Sequence, residues 1–198
     1  MKERKEYFES FAHDWDNNFT AQDMEILSDL IANFRIKPGD RVADLGCGTG
    51  VLFDLLRRRV GPEGLVIGVD FASTMIRKAR ANFPFDSCVP LCADVENLPL
   101  KSETFDLAVS LASFPHFVDK GKVMSEVSRI LKRGAGFHII HLLSSKELAH
   151  HHHHAGGPVA MDQLPPQERL MQMFEEGHFL NAQITDRPGL YLASAVKG

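Results

Sequence analysis

Three glycines and a pair of aspartates between residues 44 and 70 form the strongest chemical pattern. The segment DLGCGTG at 44–50 follows a strand-like run and opens a helical one. Its glycines allow a tight turn and let a ligand lie against the backbone, while the helix offers free N–H groups. Asp70 ends the next strand-like run, 20 positions after Gly50. Because a carboxylate there can accept hydrogen bonds from both hydroxyls of a ribose, the pattern predicts a site for an adenosine-type ligand.

The glycine spacing and Asp44 distinguish between two classes of such ligand. Dinucleotide sites use G-x-G-x-x-G, but the spacing here is G-x-G-x-G and Val51 stands where the third glycine would be. Asp44 would repel a pyrophosphate, whereas it suits the cationic amino group of S-adenosylmethionine (SAM). We therefore expect SAM, and a nicotinamide-dependent oxidoreductase is disfavoured. A glycine turn that serves only the chain geometry is the plain structural alternative.

Three sequence segments resemble four motifs of class I SAM-dependent methyltransferases. VADLGCGTG resembles their motif I, VIGVDFASTMIRKAR their second motif, and LCADVENLPLKSETFDLAVSLASFPHF their third and fourth. The resemblance covers about residues 36–145 and points to the broad methyltransferase type 11 group, which includes the ubiquinone/menaquinone biosynthesis C-methyltransferases. It implies an enzyme that uses SAM as methyl donor and releases S-adenosylhomocysteine.

The resemblance also implies roles for individual residues. Asp94 would bind the adenine amino group, the Val95 backbone N–H would reach the ring, and Met75 would pack on the base. Ser110 and Leu111 would border the methionine end and the methyl group. Asp94 as a loop-starting cap and Met75 as plain core packing remain alternatives.

The first 35 residues contain two helical stretches, and the first is rich in aromatic residues. In the resembled family this helix would be a lid over the cofactor, although Phe8 and Phe11 fit an amphipathic helix covering the sheet equally well. Tyr7 and Trp15 carry polar groups and favour the site. The expected cofactor-binding residues are Asp44, Gly46, Cys47, Gly48, Gly50, Asp70, Phe71, Met75, Asp94, Val95, Ser110, Leu111, Tyr7 and Trp15.

Alternating apolar runs and helical patterns position these residues. Nearly continuous apolar runs suit parallel strands buried on both faces, and the alternation predicts right-handed βαβ units. The tail at 181–197 predicts two antiparallel strands around a Pro188-Gly189 turn. With the resemblance, this predicts one α/β, Rossmann-like, doubly wound domain over 1–198, mostly parallel, with strand order 3-2-1-4-5-7-6. The predicted strands before the tail are 41–45, 65–70, 87–93, 105–112 and 136–143, and the predicted helices lie at about 50–60, 73–82, 119–132 and from 165 onward.

Histidines mark the region expected to hold the methyl acceptor, since ligands bind beyond the carboxyl ends of the strands. His116 follows the fourth predicted strand, and His150 to His154 lie in a His/Gly-rich segment, 144–164, that we predict as a loop near the acceptor. Imidazole can act as a base near pH 7, so His116, His150 and His154 are the predicted catalytic groups. At least one residue of the run should lie on the pocket wall. A solvated loop and an internal purification tag are the alternatives, and we predict no resident metal because a pair such as His150 and His154 needs a third ligand.

Composition limits the partners. The formal net charge of −4 gives no general reason to expect nucleic acid. No apolar run approaches the ~20 residues that span a bilayer, and the N-terminus lacks the apolar core of a signal peptide. We expect a cytoplasmic monomer or homodimer acting on a small molecule, without nucleic-acid or membrane partners. A non-catalytic SAM-binding sensor, or a metal-binding accessory protein using the histidine run, is the alternative function.

Overall fold

The computed structural model describes residues 2–198 and contains one seven-stranded sheet. The order β3-β2-β1-β4-β5-β7-β6 confirms the predicted topology. The first five strands pair in parallel, and β7 is antiparallel to both β5 and β6. The strands are β1 Arg41–Leu45, β2 Leu65–Asp70, β3 Cys88–Cys92, β4 Phe105–Leu111, β5 Leu131–His141, β6 Phe179–Arg187 and β7 Leu190–Lys197.

Helices cover both faces of the sheet and bury two apolar cores. One core joins the sheet to the second, third and fourth helices, and the other joins it to the fifth and seventh. Burial on both faces explains the nearly continuous apolar strands. Within residues 2–198 no helix is long and apolar enough to cross a membrane. The helices are α1 Lys2–Phe11, α2 Ala21–Ala32, α3 Phe53–Val60, α4 Ser73–Asn82, α5 Lys120–Ile130, α6 Ser145–Ala155 and α7 Gln167–Glu176.

The prediction of a loop over 144–164 was wrong, because α6 occupies its first half. Ser144 caps this helix: its hydroxyl accepts from the Glu147 N–H at 3.3 Å, and the Glu147 carboxylate accepts from the Ser144 N–H at 2.8 Å. This reciprocal capping box satisfies helix-end donors and is readable as S-x-x-E. Gly156, with φ of +68°, ends the helix. The glycine and proline content that suggested a loop belongs to the turn after α6.

Strand β5 is longer than predicted, starting at Leu131 instead of 136. It follows α5 without an intervening loop, and its register against β4 shifts between the pairs Phe105–Leu131 and Leu107–Gly136. The β5 residues of the irregular stretch, which include Gly134 at φ +81°, carry no apolar alternation. The sequence therefore contained no periodic signal for the first part of this strand.

The two N-terminal helices have different positions. Helix α1 contacts α4 and the 3-10 turn Gly157–Val159, so it lies over the edge of the sheet where ligands are expected. Helix α2 buries Leu27 and Ile31 in the core formed with α3. Of the predicted 1–35 lid segment, α1, the 3-10 turn Trp15–Asn18 and Phe19 therefore lie at this edge, whereas α2 packs into the core.

Candidate functional site

A cavity of about 700 Å³, part of it open to solvent, lies at the carboxyl ends of β1, β2, β3 and β4. A smaller cavity of about 260 Å³ adjoins it on the other side of the glycine loop. Of the predicted residues, the larger cavity is lined by Trp15, Gly46, Gly48, Asp70, Phe71, Met75, Asp94, Val95 and His116, and the smaller by Asp44, Cys47 and Leu111 together with Trp15 and Gly46.

The first two glycines of the loop allow close approach of neighbouring groups. Gly46 and Gly48 have φ of +73° and +53°. A Cβ on Gly46 would lie 2.4 Å from the Ser113 Cβ, and one on Gly48 would lie 3.2 Å from the Trp15 indole nitrogen. Both positions therefore exclude side chains. Gly50 lies outside both walls and packs against the rings of Phe53 and Phe83, so the structure gives it a turn and packing role.

Asp70 connects the glycine loop to the cavity. Its carboxylate accepts hydrogen bonds from the Gly48 N–H at 3.0 Å and the Ala72 N–H at 2.8 Å. Burial raises the pKa of Asp70 to about 6, although these backbone donors oppose the rise. A side chain on the cavity wall with two further lone-pair directions can still accept bonds from ligand hydroxyls.

Asp44 is a buried carboxylate without a partner. It is 1% exposed, and neither of its oxygens has a hydrogen-bond partner within the described residues. Burial and the nearby charge of Asp70 raise the pKa of Asp44 to about 8. A polar group buried without a partner costs stability, so the position fits a ligand that brings a donor. A cationic amine would supply both the donor and the compensating charge.

Ser110 does not line either cavity, whereas Ser113, three residues later, lines the larger one. The Ser110 hydroxyl is 2.6 Å from that of Ser113, which donates to the Leu45 carbonyl oxygen at 2.7 Å. Ser110 is still inside β4 and is fully buried. Because Ser113 belongs to the loop that follows, it reaches the cavity and supports Gly46 from below.

Asp94 lines the cavity and also caps its own loop, since its carboxylate accepts from the Glu96 N–H at 2.9 Å. Both interpretations of Asp94 are therefore compatible with the geometry. Met75 is likewise shared, because it lines the cavity and packs in a small core with Phe8 and Ala72.

The covering segment contributes Trp15 to both cavities but not Tyr7. Tyr7 packs against Phe11, with ring centroids 4.7 Å apart, and approaches Gly157. Phe8, one residue further along α1, lines the cavity instead. The helical turn explains the difference, since neighbouring residues point about 100° apart.

Three groups far apart in sequence meet at the acceptor end. The His116 Nδ1 lies 2.8 Å from a carboxylate oxygen of Asp162. Arg4 of α1 donates to both oxygens of the same carboxylate and to the His116 carbonyl oxygen at 2.8 Å. Burial lowers the pKa of His116. This effect outweighs the hydrogen bond between the imidazole and the Asp162 carboxylate, which by itself would raise the pKa. The lowered pKa favours the neutral imidazole, which has one nitrogen that can accept a proton.

One histidine of the run, His152, packs against His116, although it was not among the predicted catalytic residues. His152 is 5% exposed, and its ring centroid lies 4.8 Å from that of His116. His150 and His154 are exposed, contact each other with tilted rings whose centroids are 4.1 Å apart, and lie outside both cavity walls. A separation of two residues turns about 200° along a helix, so burying His152 directs the other two to solvent. The structure thus does not bring His150 or His154 to the site.

Several residues of the cavity walls were not among the predicted site residues. Glu96, Ala112, Phe117 and Val118 are sequence neighbours of predicted residues, so the motif segments could have included them. Arg4 had no local signal, because its partner Asp162 is 158 positions away. Across residues 2–198 no group of three His, Cys, Asp or Glu side chains has a geometry that could hold a metal ion.

Comparisons with solved structures match this architecture. A protein solved in complex with the Haloferax volcanii Trm112 methyltransferase activator superimposes with a TM-score of 0.79 at 21% identity, covering 96% of each chain. A SAM-dependent methyltransferase from Aquifex aeolicus superimposes with a TM-score of 0.68 at 19% identity, covering 89% of this chain and 97% of the other. These similarities establish the fold.

Sequence comparisons match the same region. A ubiquinone/menaquinone biosynthesis C-methyltransferase, UbiE, from Xanthomonas campestris is 33% identical over 120 residues, 56% of this chain and 46% of the relative. A 2-phytyl-1,4-naphtoquinone methyltransferase from Nostoc is 36% identical over 103 residues, 50% of this chain and 45% of the relative. The chain thus spans about half the length of these curated relatives.

A family model described as a methyltransferase domain matches residues 36–178. This span contains the glycine loop, Asp70, Asp94 and His116, and it extends through α6 and α7. None of the comparisons supports the alternative of a non-catalytic sensor or accessory protein. The chain belongs to the class I SAM-dependent methyltransferase family.

Proposed function

We propose that this chain transfers a methyl group from SAM to a small molecule whose acceptor atom carries a proton. The observation that carries the proposal is Asp44, a buried carboxylate beside a glycine loop that has no hydrogen-bond partner among residues 2–198. A cationic amine satisfies it, whereas the pyrophosphate of a dinucleotide would be repelled. The family membership supports the same donor.

The residues around the two cavities fit the parts of SAM. Asp44 would hold the amino group, Asp70 the ribose hydroxyls, and Asp94 with the Val95 N–H the adenine ring. When bound, SAM supplies a methyl group already made electrophilic by the positive sulfonium. The chain therefore contributes mainly by aligning donor and acceptor and by excluding water. The apolar wall that would exclude water consists of Phe8, Trp15, Phe71, Met75, Phe117 and Val118.

His116 is the proposed base. As the acceptor atom gained the methyl group, its proton would pass to the free ring nitrogen of His116 and its electron pair would form the new bond to carbon. The electron pair of the broken methyl–sulfur bond would stay with the departing S-adenosylhomocysteine. A neutral imidazole on the cavity wall can accept this proton, and burial keeps the pKa of His116 below its usual value. His150 and His154 no longer belong to this proposal, because they lie outside the cavity walls.

Labelled SAM tests the proposal. The chain would be incubated with methyl-labelled SAM and a panel of small acceptors. The panel includes demethylated quinones, because the names of the two relatives refer to quinone methyltransferases. We expect label transfer to one acceptor class. His116→Gln should lower turnover by about 10²–10⁴-fold, the usual contribution of a general base, and leave S-adenosylhomocysteine affinity unchanged.

His150→Gln is the matched control, since it removes an imidazole that lies outside the cavity walls. Its turnover should equal that of the unmodified chain. If His116→Gln turned over as fast as the unmodified chain, His116 would not be the base. If the unmodified chain did not bind SAM, the proposed methyl donor would be wrong.

A further inference from the structure

Asp162 is a buried carboxylate in the segment between α6 and α7, outside every motif considered above. It is 5% exposed, and both of its oxygens are engaged by Arg4, while one also contacts His116. The carboxylate therefore joins the covering helix α1 to the histidine on the cavity wall.

The main chain fixes the position of this carboxylate. The Asp162 N–H donates to the Val159 carbonyl oxygen at 2.9 Å, which closes the turn after α6. The Asp162 carbonyl oxygen accepts from the His152 Nδ1 at 2.6 Å. The buried histidine of the run thus holds the backbone from which the carboxylate extends. This gives His152 a supporting role.

Ionised Asp162 determines which nitrogen of His116 carries a hydrogen. A carboxylate can only accept hydrogen bonds, so the His116 Nδ1 must be the donor. The Nε2 then has a free lone pair, and it has no hydrogen-bond partner within the described residues. Burial opposes ionisation of Asp162, but the bonds from His116 and Arg4 outweigh it and lower its pKa. Other titratable groups that act on His116 and Asp162 are His152, His141 and Lys120.

We propose that Asp162 is the positioning residue of the acceptor site, holding His116 in the tautomer whose Nε2 is free to take the acceptor's proton. This inference rests on the proposed role of His116 as the base. Arg4 is the third member, because its planar fork neutralises the carboxylate and keeps both oxygens oriented. Asp162 acts through His116 and need not touch the substrate.

Nitrogen NMR of the full chain, labelled with ¹⁵N-histidine, tests the inference without an acceptor. The His116 signals are identified by their loss in His116→Gln. In the unmodified chain at neutral pH we expect hydrogen on Nδ1 and none on Nε2. Asp162→Asn can turn an amide N–H toward Nδ1, so a substantial fraction of His116 should change to the opposite tautomer.

Asp186→Asn is the matched control. Asp186 accepts from the Ser145 N–H at 2.9 Å and so supports the start of α6 without contacting His116. This variant should leave the His116 tautomer unchanged. If the His116 tautomer changed equally in Asp162→Asn and Asp186→Asn, a general loosening of the region would explain the change. That result would overturn the specific role of Asp162.

Two results would contradict the inference directly. One is hydrogen on Nε2 of His116 in the unmodified chain, which requires no variant. The other is an unchanged tautomer in folded Asp162→Asn. Calorimetry with S-adenosylhomocysteine on the same samples separates this inference from the proposed function. If the unmodified chain does not bind this ligand, the proposed function is contradicted. The tautomer of His116 tests only the role of Asp162.

Discussion

The buried carboxylates of Asp44 and Asp70 have different environments although both lie near the carboxyl end of a parallel strand. Asp70 accepts two backbone N–H bonds, whereas Asp44 accepts none from any described residue. Their raised pKa values follow this difference, at about 6 for Asp70 and about 8 for Asp44, with burial as the main cause of both. Asp44 therefore weakens the empty fold and favours a cationic ligand.

Asp44→Asn should stabilise the chain in alkaline solution when no ligand is bound. Asp44 has an ordinary pKa of 3.8 when unfolded and about 8 when folded, so the folded state retains a proton that the unfolded state releases. Its contribution to stability thus falls as the pH rises from about 4 to 8. We expect the variant to match the unmodified chain near pH 4 and to exceed its free energy of unfolding by roughly 1–3 kcal/mol above pH 8.

Urea unfolding at both pH values measures this difference, with the exposed Asp29→Asn as control. The same variant should bind S-adenosylhomocysteine more weakly, because the charged acceptor is lost. Parallel pH profiles for Asp44→Asn and the unmodified chain would contradict the assigned pKa.

Asp70→Asn should weaken S-adenosylhomocysteine binding by roughly 1–3 kcal/mol, the cost of losing a charged acceptor. Asparagine keeps one acceptor oxygen for the Gly48 or Ala72 N–H, so the loop should survive better than in an alanine variant. Calorimetry gives the dissociation constant, and circular dichroism confirms folding. An affinity equal to that of the unmodified chain would exclude Asp70 from the ribose site.

At the scale of elements, α1 and the turn after it are attached at separate points around the cavity. Glu9 accepts from the Ser73 N–H at the start of α4, Asp16 accepts from the Thr49 hydroxyl of the glycine loop, and Arg4 reaches Asp162. These contacts hold a helix that otherwise buries little apolar surface. Opening of this segment would therefore depend on polar contacts that a substitution can remove singly.

Arg4→Gln should free the start of α1. Loss of the forked ion pair leaves the contacts of Glu9 and Asp16, which lie further along the segment, so amide hydrogen exchange across residues 2–11 should become faster. Lys5→Gln is the matched control, because Lys5 makes no hydrogen bond with another described residue and no ion pair. Exchange in Arg4→Gln that equals the control would show that the Arg4–Asp162 pair does not hold the helix.

Helix α6 separates the histidines by the face on which they lie. His150 and His154 are exposed, while His152 supports Asp162. The double variant His150→Gln/His154→Gln should therefore keep both S-adenosylhomocysteine affinity and label transfer. His152→Gln should lower label transfer, since it releases the backbone that carries Asp162. Lower turnover in the double variant alone would return the exposed pair to the site.

At the scale of the whole molecule, most residues of the proposed donor half could be predicted to lie together, because each is part of a local sequence motif. The glycine loop, Asp70 and the 94–95 pair each follow a strand with a clear apolar pattern, and parallel strands bring their carboxyl ends to one edge. The proposed acceptor half depends on long-range contacts: Arg4 and His116 are 112 positions apart, and Arg4 and Asp162 are 158 apart. No spacing rule connects such residues.

The sequence also did not indicate which histidine of the run is buried. The capping box at 144–147 could have predicted α6 and hence the common face of His150 and His154. Five consecutive histidines have no hydrophobic periodicity, however, so nothing in their pattern showed which one would be buried. Packing against His116 and Asp162 decides that His152 is inside.

The most direct test of the account is calorimetric titration of the full chain with S-adenosylhomocysteine and, separately, with NAD. The account predicts a one-to-one complex with S-adenosylhomocysteine that weakens in Asp44→Asn and Asp70→Asn, and no heat of binding with NAD. Tight binding of NAD together with no response to S-adenosylhomocysteine would contradict it.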